Sequence, residues 1–257
     1  MPSFAANLTF LFNEHSFLDR FRAARDAGFR YVEYMFPYDH DPATLKRLLE
    51  ENGLEQVLFN LPAGDWAAGD RGIANNPRRV DEFRHGVDRA LEYARVLGVK
   101  RINCLVGKQL ETVLYEEQWQ TLVKNLRDAA KRFAEADRWL LVEPLNSYDI
   151  PGFFLTTSRD TLRLFDEVGA ANLRLQYDVY HMERMEGHLT ATIRANLSRI
   201  GHIQIADNPG RHQPGTGEIN YRFLLPELDR MGYEGFVGLE YVPEADTLSS
   251  LGWLKEM

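Results

Sequence analysis

The chain has 257 residues, of which 44% are hydrophobic, and it carries a formal net charge of -8 at pH 7. This acidic balance argues against general binding to nucleic acid or to anionic membranes, because both depend on an excess of Lys and Arg. The only cysteine, Cys104, cannot form an internal disulfide and is interpreted as a small buried side chain without chemistry. The first residues contain neither a basic nor a long apolar signal segment, so we expect a cytoplasmic protein.

In chain order, short runs of β-forming residues alternate with longer segments of helical period. The predicted strands cover residues 4–8, 31–34, 56–59, 101–106, 139–143, 173–178, 202–205 and 236–240. The predicted helices cover residues 17–27, 42–52, 78–97, 116–136, 158–168, 189–196 and 221–231, with a short eighth helix near the end. Asp41 and Pro42 are a cap and a first-turn proline, and Gly53, Gly98 and Gly169 follow helices where a left-handed residue is needed.

No linker or low-complexity tract divides the chain, so the sequence predicts a single domain over residues 1–257. Eight strand–helix units close most economically into an α/β fold of the (β/α)₈ TIM-barrel type. A doubly wound open sheet is the structural alternative.

Four predicted strands in the second half of the chain end at or near a residue that can bind a metal or move a proton. These residues are Glu143, Asp178, Gln204 and Glu240. Barrel enzymes carry their chemistry at the C-terminal ends of the strands, so the four side chains are expected to converge. A single such residue is explained by hydrogen bonding at a strand end, but the repetition indicates a site. Three carboxylates and an amide oxygen suit Mg²⁺ or Mn²⁺.

A cation held there can chelate the two adjacent oxygens of an α-hydroxycarbonyl and acidify the neighbouring C–H. Glu143 and Glu240 come from the fifth and eighth predicted strands, which lie on different sides of a barrel, so one can act as base and the other as acid. The pattern therefore predicts an isomerisation of the aldose–ketose type.

Three further residues are candidates for substrate binding. His181 is expected to hydrogen-bond a substrate oxygen, although a loop histidine bonded to backbone fits the sequence equally well. Arg211 and Lys108 are candidates to bind an anionic group, with solvated surface charge as the alternative.

Two glycine-rich segments receive different interpretations. Residues 60–72 form a long loop with an exposed-looking Trp66, which is typical of a lid over a site. Residues 214–220 lack the lysine of a phosphate loop and are interpreted as a tight turn before a helix.

Long stretches of the chain resemble the hydroxypyruvate isomerases, which belong to the xylose-isomerase-like barrels together with ketose 3-epimerases. The matching residues are 4–8, 36–38, 60–74, 102–108, 149–153, 176–178 with 181–182, and 204–209 with 214–221. The resemblance implies reversible conversion of hydroxypyruvate to tartronate semialdehyde, with Glu143 and Glu240 as the proton-transferring pair. It also implies one divalent cation bound by Glu143, Asp178, Gln204 and Glu240, a small hydroxy-oxo acid as substrate, and no organic cofactor.

One departure from the family pattern concerns the substrate carboxylate. The family usually continues with Lys-Pro after Glu240-Tyr241, whereas this chain has Val242-Pro243. If that lysine helps to bind the carboxylate, the role falls here to Lys108, Arg211 or another cation.

Four rival functions follow from the same scaffold. A 2-oxo-tetronate isomerase or a ketose 3-epimerase would use the same two acids. A phosphodiesterase that cuts abasic DNA would need a histidine-rich site and a basic face, and this chain has only 7 histidines. A non-catalytic sugar-acid binding protein would not need an acid/base pair. The sequence leaves the formation of a homo-oligomer open.

Overall fold

Eight parallel strands close into a barrel in the order in which they occur in the chain. The protein is described here by a computed structural model covering residues 2–255. The strands are β1 (Ser3–Asn7), β2 (Tyr31–Glu33), β3 (Glu55–Asn60), β4 (Arg101–Cys104), β5 (Trp139–Val142), β6 (Leu173–Asp178), β7 (Ile200–Ile205) and β8 (Phe236–Leu239). Pairing of β1 with β8 closes the barrel. The predicted (β/α)₈ barrel is confirmed, and the doubly wound sheet is excluded.

Helices surround the barrel and connect its strands. They are α1 (Arg20–Asp26), α2 (Pro42–Asn52), α3 (Val80–Leu97), α4 (Tyr115–Glu135), α5 (Ser158–Val168), α6 (Val179–Met185), α7 (Leu189–Asn196), α8 (Tyr221–Arg230) and α9 (Thr247–Ser250). Three of them, α2, α5 and α7, have the predicted limits. The helix predicted from residue 17 begins with a 3₁₀ turn over Phe17–Asp19, and the short terminal helix is α9 followed by a 3₁₀ turn over Gly252–Lys255.

Capping explains why several helices begin and end where they do. The Asp41 carboxylate accepts a hydrogen bond from the Thr44 amide at 3.0 Å and Pro42 occupies the first turn of α2. Gly53 ends that helix with φ of 62°, a conformation that costs a side-chain-bearing residue more than glycine. These local signals are encoded in adjacent residues, so the sequence predicted them correctly.

The N-terminal mouth of the barrel is closed by arginines stacked on aromatic rings. The Arg101 guanidinium lies 5.3 Å from the Trp139 ring centroid and 4.8 Å from that of Phe236. Arg174 lies 5.4 Å from the same Trp139 ring, and Tyr31 packs on Phe236 at 4.7 Å. Cation–π contacts and burial of the long arginine stems seal this end. Substrate access is therefore expected at the opposite mouth.

A small apolar layer separates this plug from the polar residues above it. Ala5, Val57, Leu58 and Leu141 are buried together inside the barrel, while the larger core lies between the strands and the helices. Cys104 belongs to that outer core, and burial raises the pKa of its thiol to about 12. This agrees with the absence of chemistry predicted for it. Within residues 2–255, no helix is both long and apolar enough to cross a bilayer.

The apolar layer provides a stability test. Leu141 is fully buried, so we expect Leu141→Ala to lower the free energy of unfolding by about 2–5 kcal/mol, because it removes transfer energy and leaves a cavity. Leu248 is 66% exposed, so Leu248→Ala should change it by less than about 0.5 kcal/mol. Urea unfolding of both variants measures the difference. Equal effects would show that the layer does not support the barrel.

Candidate active site

The four residues predicted to converge do lie together at the C-terminal mouth, and all four are buried. Glu143 directly follows β5, Asp178 ends β6, Gln204 lies in β7 and Glu240 directly follows β8. The side chain of Gln176 connects two of them: its Nε2 donates to Glu143 Oε2 at 2.9 Å and to Gln204 Oε1 at 2.6 Å. The parallel register pairs Asp178 directly with Gln204 and Gln204 with Gly238, so Glu240 lies two residues further along than the β8 partner of Gln204.

Glu240 is surrounded by hydrogen-bond donors. Its Oε2 accepts from Asn7 Nδ2 at 2.9 Å and from Gln204 Nε2 at 2.5 Å. Its Oε1 pairs with Arg211 Nη2 at 2.7 Å. Both oxygens are therefore bonded, and one of the donors is a cation, which favours the carboxylate form.

Glu143 has fewer hydrogen-bond donors around it than Glu240. Its Oε2 accepts from Asn103 Nδ2 at 3.0 Å as well as from Gln176. Its Oε1 is buried and has no hydrogen-bond partner among the described residues. No lysine or arginine in residues 2–255 forms an ion pair with Glu143; its hydrogen-bond partners are neutral amides, and Arg211 lowers its pKa only from a greater distance. A buried acceptor of this kind is costly unless a ligand or a proton occupies it.

Asp178 links the site to a helix that the sequence did not predict. It is the N-cap of α6, and its Oδ1 accepts from the Tyr180 amide at 2.8 Å. Its Oδ2 has no hydrogen-bond partner within residues 2–255. Because β6 passes directly into α6, no loop residues signal the helix start in the sequence. One oxygen of Asp178 therefore holds the fold, and the other is available to a ligand.

Burial shifts the ionisation of all three acids in the same direction. Desolvation raises the pKa of Glu143 well above its ordinary value, and the nearby charges of Glu240 and Asp178 raise it further. Desolvation raises the pKa of Glu240 to about 8 and that of Asp178 to about 6, against the opposing effect of Arg211. Perturbed carboxyl groups in a shared cleft are typical of catalytic sites.

His181 faces the same space as a neutral ring. Burial lowers its pKa well below the ordinary value, and Arg211 lowers it further. Its Nδ1 accepts the backbone N–H of Asn146 at 3.2 Å, so the proton of the neutral ring lies on Nε2. That nitrogen lies 3.6 Å from Asp178 Oδ2. The ring is therefore set to donate a hydrogen bond into the site.

Arg211 is the one lysine or arginine in the described chain that forms ion pairs with these acids. It bonds to Glu240, and its Nη2 lies 3.9 Å from Asp178 Oδ2. Its guanidinium is placed 5.2 Å from the ring centroids of both Phe10 and Tyr180. The buried Nε has no acceptor among residues 2–255, so it can donate to a bound anion.

Val242, which stands where the resembling family usually has lysine, supports the loop of Arg211. Its N–H donates to the Arg211 carbonyl at 2.9 Å, and its carbonyl lies 2.7 Å from His212 Nδ1. Arg211 has φ of 56°, a left-handed conformation that is uncommon for a residue with a side chain. The Arg211 N–H donates to the Asp207 carbonyl at 2.9 Å, so backbone hydrogen bonds to both its N–H and its carbonyl hold it there.

Lys108 lies apart from this cluster. Its backbone pairs with Phe153, its carbonyl accepts from Asn75, and it borders a small cavity of about 50 Å³ beside Asp70 and Arg79. No hydrogen bond or ion pair joins it to the four converging residues in the described part of the chain. The structure thus places Arg211 beside the acids and Lys108 away from them, a difference that the sequence could not show.

The predicted lid, residues 60–72, is an ordered loop with contacts of its own. Trp66 is 38% exposed, packs on Phe36 at 5.2 Å between ring centroids, and lies 3.8 Å from the Arg71 guanidinium. Asp70 bonds to the Asp65 amide and to Arg79. A lid function stays a prediction.

Residues 214–220 lead into α8, as the sequence predicted. The Asp207 carboxylate accepts from the amides of Gly215 and Ile219 at 2.8 and 3.0 Å, and Asn220 caps the helix. The segment is therefore a turn anchored at two points by the Asp207 carboxylate, with further bonds between Asn208 and Glu218.

Several polar residues at this mouth escaped prediction. Asn7, Glu33 and Asn103 end or nearly end β1, β2 and β4, as the predicted acids end later strands. Glu33 pairs with His202 Nε2 at 2.6 Å inside the barrel. The signal that would have found them, a polar residue at the end of a buried strand, was present in the first half of the chain as well.

The donor set fits a divalent cation. Glu143 and Asp178 each present a buried oxygen without a protein partner, and Gln204 Oε1 lies 2.6 Å from the Gln176 amide that also bonds Glu143. Glu143, Asp178 and His181 place potential ligand atoms within 4.8 Å of one another. Because His181 Nδ1 is occupied as an acceptor, its Nε2 carries a proton and is a poorer ligand than the oxygens.

Comparison with known proteins agrees with this geometry. Residues 21–257 match the model of the xylose isomerase-like TIM barrel family. The chain is 54% identical to the hydroxypyruvate isomerase of Escherichia coli strain K12 over 254 residues, which are 99% of this chain and 98% of that protein. It is 47% identical to the 2-oxo-tetronate isomerase of Cupriavidus necator over 255 residues, again 99% and 98% of the two chains.

A solved structure is also similar. The crystal structure of a protein from Brucella melitensis, described as an AP endonuclease of family 2, superimposes with a TM-score of 0.97 at 43% identity. The match covers 100% of this chain and 99% of that one. The resemblance read from the sequence motifs is thus confirmed: the chain belongs to the xylose isomerase-like TIM barrel family, in the group that includes the hydroxypyruvate and 2-oxo-tetronate isomerases.

Proposed function

We propose that the protein is an isomerase that interconverts hydroxypyruvate and tartronate semialdehyde (2-hydroxy-3-oxopropanoate). The observation that carries this proposal is the pair of buried glutamates, Glu143 and Glu240, which stand on different strands at one mouth of the barrel and differ in their compensating charges. Full-length identity of 54% to a hydroxypyruvate isomerase supports the same substrate.

The two glutamates can divide the proton transfers between them. From hydroxypyruvate, a base removes a proton from C3, an acid delivers a proton to C2, and the hydroxyl proton moves from O3 to O2. Glu240, which pairs with Arg211, is the better-stabilised carboxylate and is assigned as the base. Glu143, with the pKa raised well above its ordinary value, is assigned as the acid. The reverse reaction exchanges these roles.

Two other side chains bind the substrate in this proposal. His181 donates from Nε2 to a substrate oxygen, because its Nδ1 is already bonded to the Asn146 backbone. Arg211 binds the substrate carboxylate through donors that the protein leaves free, while its stacking between Phe10 and Tyr180 holds the guanidinium in place. Lys108 is a weaker candidate because it lies apart from the cluster.

A divalent cation, Mg²⁺ or Mn²⁺, would be held by oxygens of Glu143, Asp178, Gln204 and Glu240. When bound, it would chelate adjacent substrate oxygens, polarise the carbonyl and lower the pKa of the neighbouring C–H. Asp178, whose second oxygen is free, and Gln204 are proposed as ligands only. The proposed reaction uses no organic cofactor.

The second candidate is 2-oxo-tetronate isomerisation, favoured by the relative at 47% identity. It needs the same two acids and room for one more carbon. The proposal disfavours cleavage of abasic DNA, because the net charge of -8 opposes binding to a polyanion. The cytoplasmic location and any homo-oligomer stay predictions.

The substrate is tested with purified protein. We expect kcat/KM for hydroxypyruvate to exceed that for 2-oxo-tetronate, and ketohexoses such as fructose to show no turnover. Product formation is followed by chromatography against authentic tartronate semialdehyde. A higher kcat/KM for 2-oxo-tetronate would make 2-oxo-tetronate isomerisation the first candidate function. Turnover of ketohexoses alone would establish a 3-epimerase instead.

Removing either proton carrier should stop the reaction. We expect Glu240→Gln and Glu143→Gln each to lower kcat by about 10²–10⁴-fold, because an amide keeps the shape but cannot exchange a proton at neutral pH. Glu50→Gln, on the exposed face of α2, is the control and should keep full activity. Circular dichroism confirms folding of each variant. Near-normal turnover by Glu240→Gln would show that the proton carrier is misassigned.

Metal binding should tighten as pH rises from 6 to 8. The metal competes with protons for the carboxylates of Asp178 and Glu240, whose pKa values are about 6 and about 8. Below the pKa of each acid, its proton must be displaced by the metal, and the metal affinity then falls by roughly tenfold per pH unit for that acid. In the metal-free protein, the free energy of unfolding should change with pH in the opposite direction. Folding raises the pKa of Glu240 from 4.5 to about 8, so the contribution of this group to stability is complete below pH 4.5 and is lost as the pH rises through 8.

Calorimetric titration with Mn²⁺ at pH 6, 7 and 8, combined with melting temperatures with and without EDTA, measures both effects. The stabilisation by Mn²⁺ should be larger at pH 8 than at pH 6. Equal dissociation constants at the three pH values would contradict the participation of these acids.

A further inference from the structure

A third buried glutamate, Glu33 at the end of β2, takes no part in the proton transfers proposed above. It is fully buried, and its hydrogen-bond partners are all donors, although the acids Glu240 and Asp178 lie near enough for its charge to raise their pKa values. Its Oε1 accepts from Asn7 Nδ2 at 3.0 Å and from Gln204 Nε2 at 2.8 Å, and its Oε2 lies 2.6 Å from His202 Nε2. A charge placed this deeply needs a reason, since burial of a carboxylate opposes folding.

Glu33 and Glu240 share the same two amide donors. Asn7 Nδ2 donates to both carboxylates, at 3.0 and 2.9 Å, and Gln204 Nε2 donates to both, at 2.8 and 2.5 Å. Each amide has two N–H groups, so each gives one hydrogen to Glu33 and one to Glu240. Removing Glu33 would therefore leave one N–H of each amide without its acceptor and weaken the constraint on its orientation.

The same bonds decide where the oxygen of Gln204 points. With Nε2 directed at Glu33 and Glu240, Oε1 must face the other way, toward Gln176 Nε2 at 2.6 Å. Gln176 Nε2 in turn contacts Glu143, so the amide oxygen lies on the side of the barrel where Glu143 stands. A carboxylate that orients a neighbouring ligand is a recurrent device around metal sites.

Two neighbours are shaped to keep Glu33 in place. His202 Nδ1 is buried without a partner in the described residues, so the proton lies on Nε2 and the ring donates to Glu33. Gly238 supplies the space, because a Cβ there would lie 2.3 Å from Glu33 Oε1 and 2.6 Å from its Oε2. The glycine adopts no left-handed conformation that would otherwise explain it.

We infer that Glu33 is a positioning residue, which holds Glu240 at the substrate and turns the Gln204 amide oxygen toward the cation site through the shared amides of Asn7 and Gln204. This inference rests on the proposed function for its effect on turnover. Its effect on cation binding is independent of the substrate.

The test compares Glu33→Gln with wild type. Glutamine has one acceptor oxygen where the carboxylate has two, so it cannot satisfy Asn7, Gln204 and His202 together. We expect kcat on hydroxypyruvate to fall by about 10–100-fold and KM to change by less than about threefold, because substrate contacts remain. The Mn²⁺ dissociation constant should rise by about 10–100-fold.

Gly238→Ala is the second variant, since it leaves Glu33 in the chain but displaces its carboxylate, and it should reproduce both changes. Glu227→Gln is the matched control. Glu227 is a buried glutamate of α8 that pairs with Arg194 at 2.7 Å outside the barrel, so this change should lower the melting temperature and leave kcat and Mn²⁺ binding unaltered.

The outcomes separate the two proposals. Wild-type kcat and Mn²⁺ affinity in folded Glu33→Gln would overturn the positioning role, as would equal losses in Glu227→Gln. Wild-type protein that binds no Mn²⁺ would contradict it too, because Gln204 would have no cation to face. A wild type inactive on hydroxypyruvate would refute the proposed function alone, and the Mn²⁺ constants of the variants would still decide the role of Glu33.

Discussion

Four carboxyl groups share the buried C-terminal half of the barrel, and the cost of keeping them there governs the surrounding structure. They belong to Glu33, Glu143, Asp178 and Glu240. Only Arg211 and neutral donors oppose their charge among the described residues. These side chains are buried, so each unbonded carboxylate oxygen carries a large desolvation penalty. Asparagine and glutamine side chains supply hydrogen-bond donors to these oxygens, and one amide can donate to two carboxylates.

The amides form a connected network rather than isolated pairs. Gln204 joins Glu33 to Glu240 and accepts from Gln176, which bonds Glu143. The two proposed proton carriers are therefore linked through two glutamines on adjacent strands. Such a network is stable only if every amide has the correct orientation, which favours one arrangement of the site. Among the described residues, Glu143 and Asp178 each keep one carboxylate oxygen without a hydrogen-bond partner, and these two oxygens mark the place where a ligand would offset the cost of burial.

The opposite, N-terminal end of the barrel is closed by side-chain packing. There several strands begin with an arginine or a large aromatic ring, and stacking of Arg101 and Arg174 on Trp139 fills the opening. One mouth is thus closed by packing, and the other is lined by groups that need a partner. This asymmetry directs chemistry to the C-terminal mouth, as is usual for barrels of this type.

The sequence predicted the strands, most helices and four converging residues, because periodicity, caps and strand-end polar residues are local patterns. It missed α6, whose N-cap is Asp178 itself, so that no loop separates strand from helix. It also missed Asn7 and Glu33, although they follow the same strand-end pattern, since an asparagine or a lone glutamate at a strand end is ordinary by itself. Lys108 and Arg211 looked equivalent in the sequence.

What the sequence determined by itself is the barrel, its family and the identity of the acids, because these depend on patterns within single strand–helix units. Only the tertiary structure decided which oxygens are bonded and which are free, and that Arg211 rather than Lys108 reaches the acids. Contacts such as that of Asn7 with Glu240 join residues at opposite ends of the chain, which meet only because β1 pairs with β8 when the barrel closes. The ionisation of the glutamates depends on that closure, since burial and neighbouring charge exist only in the folded protein.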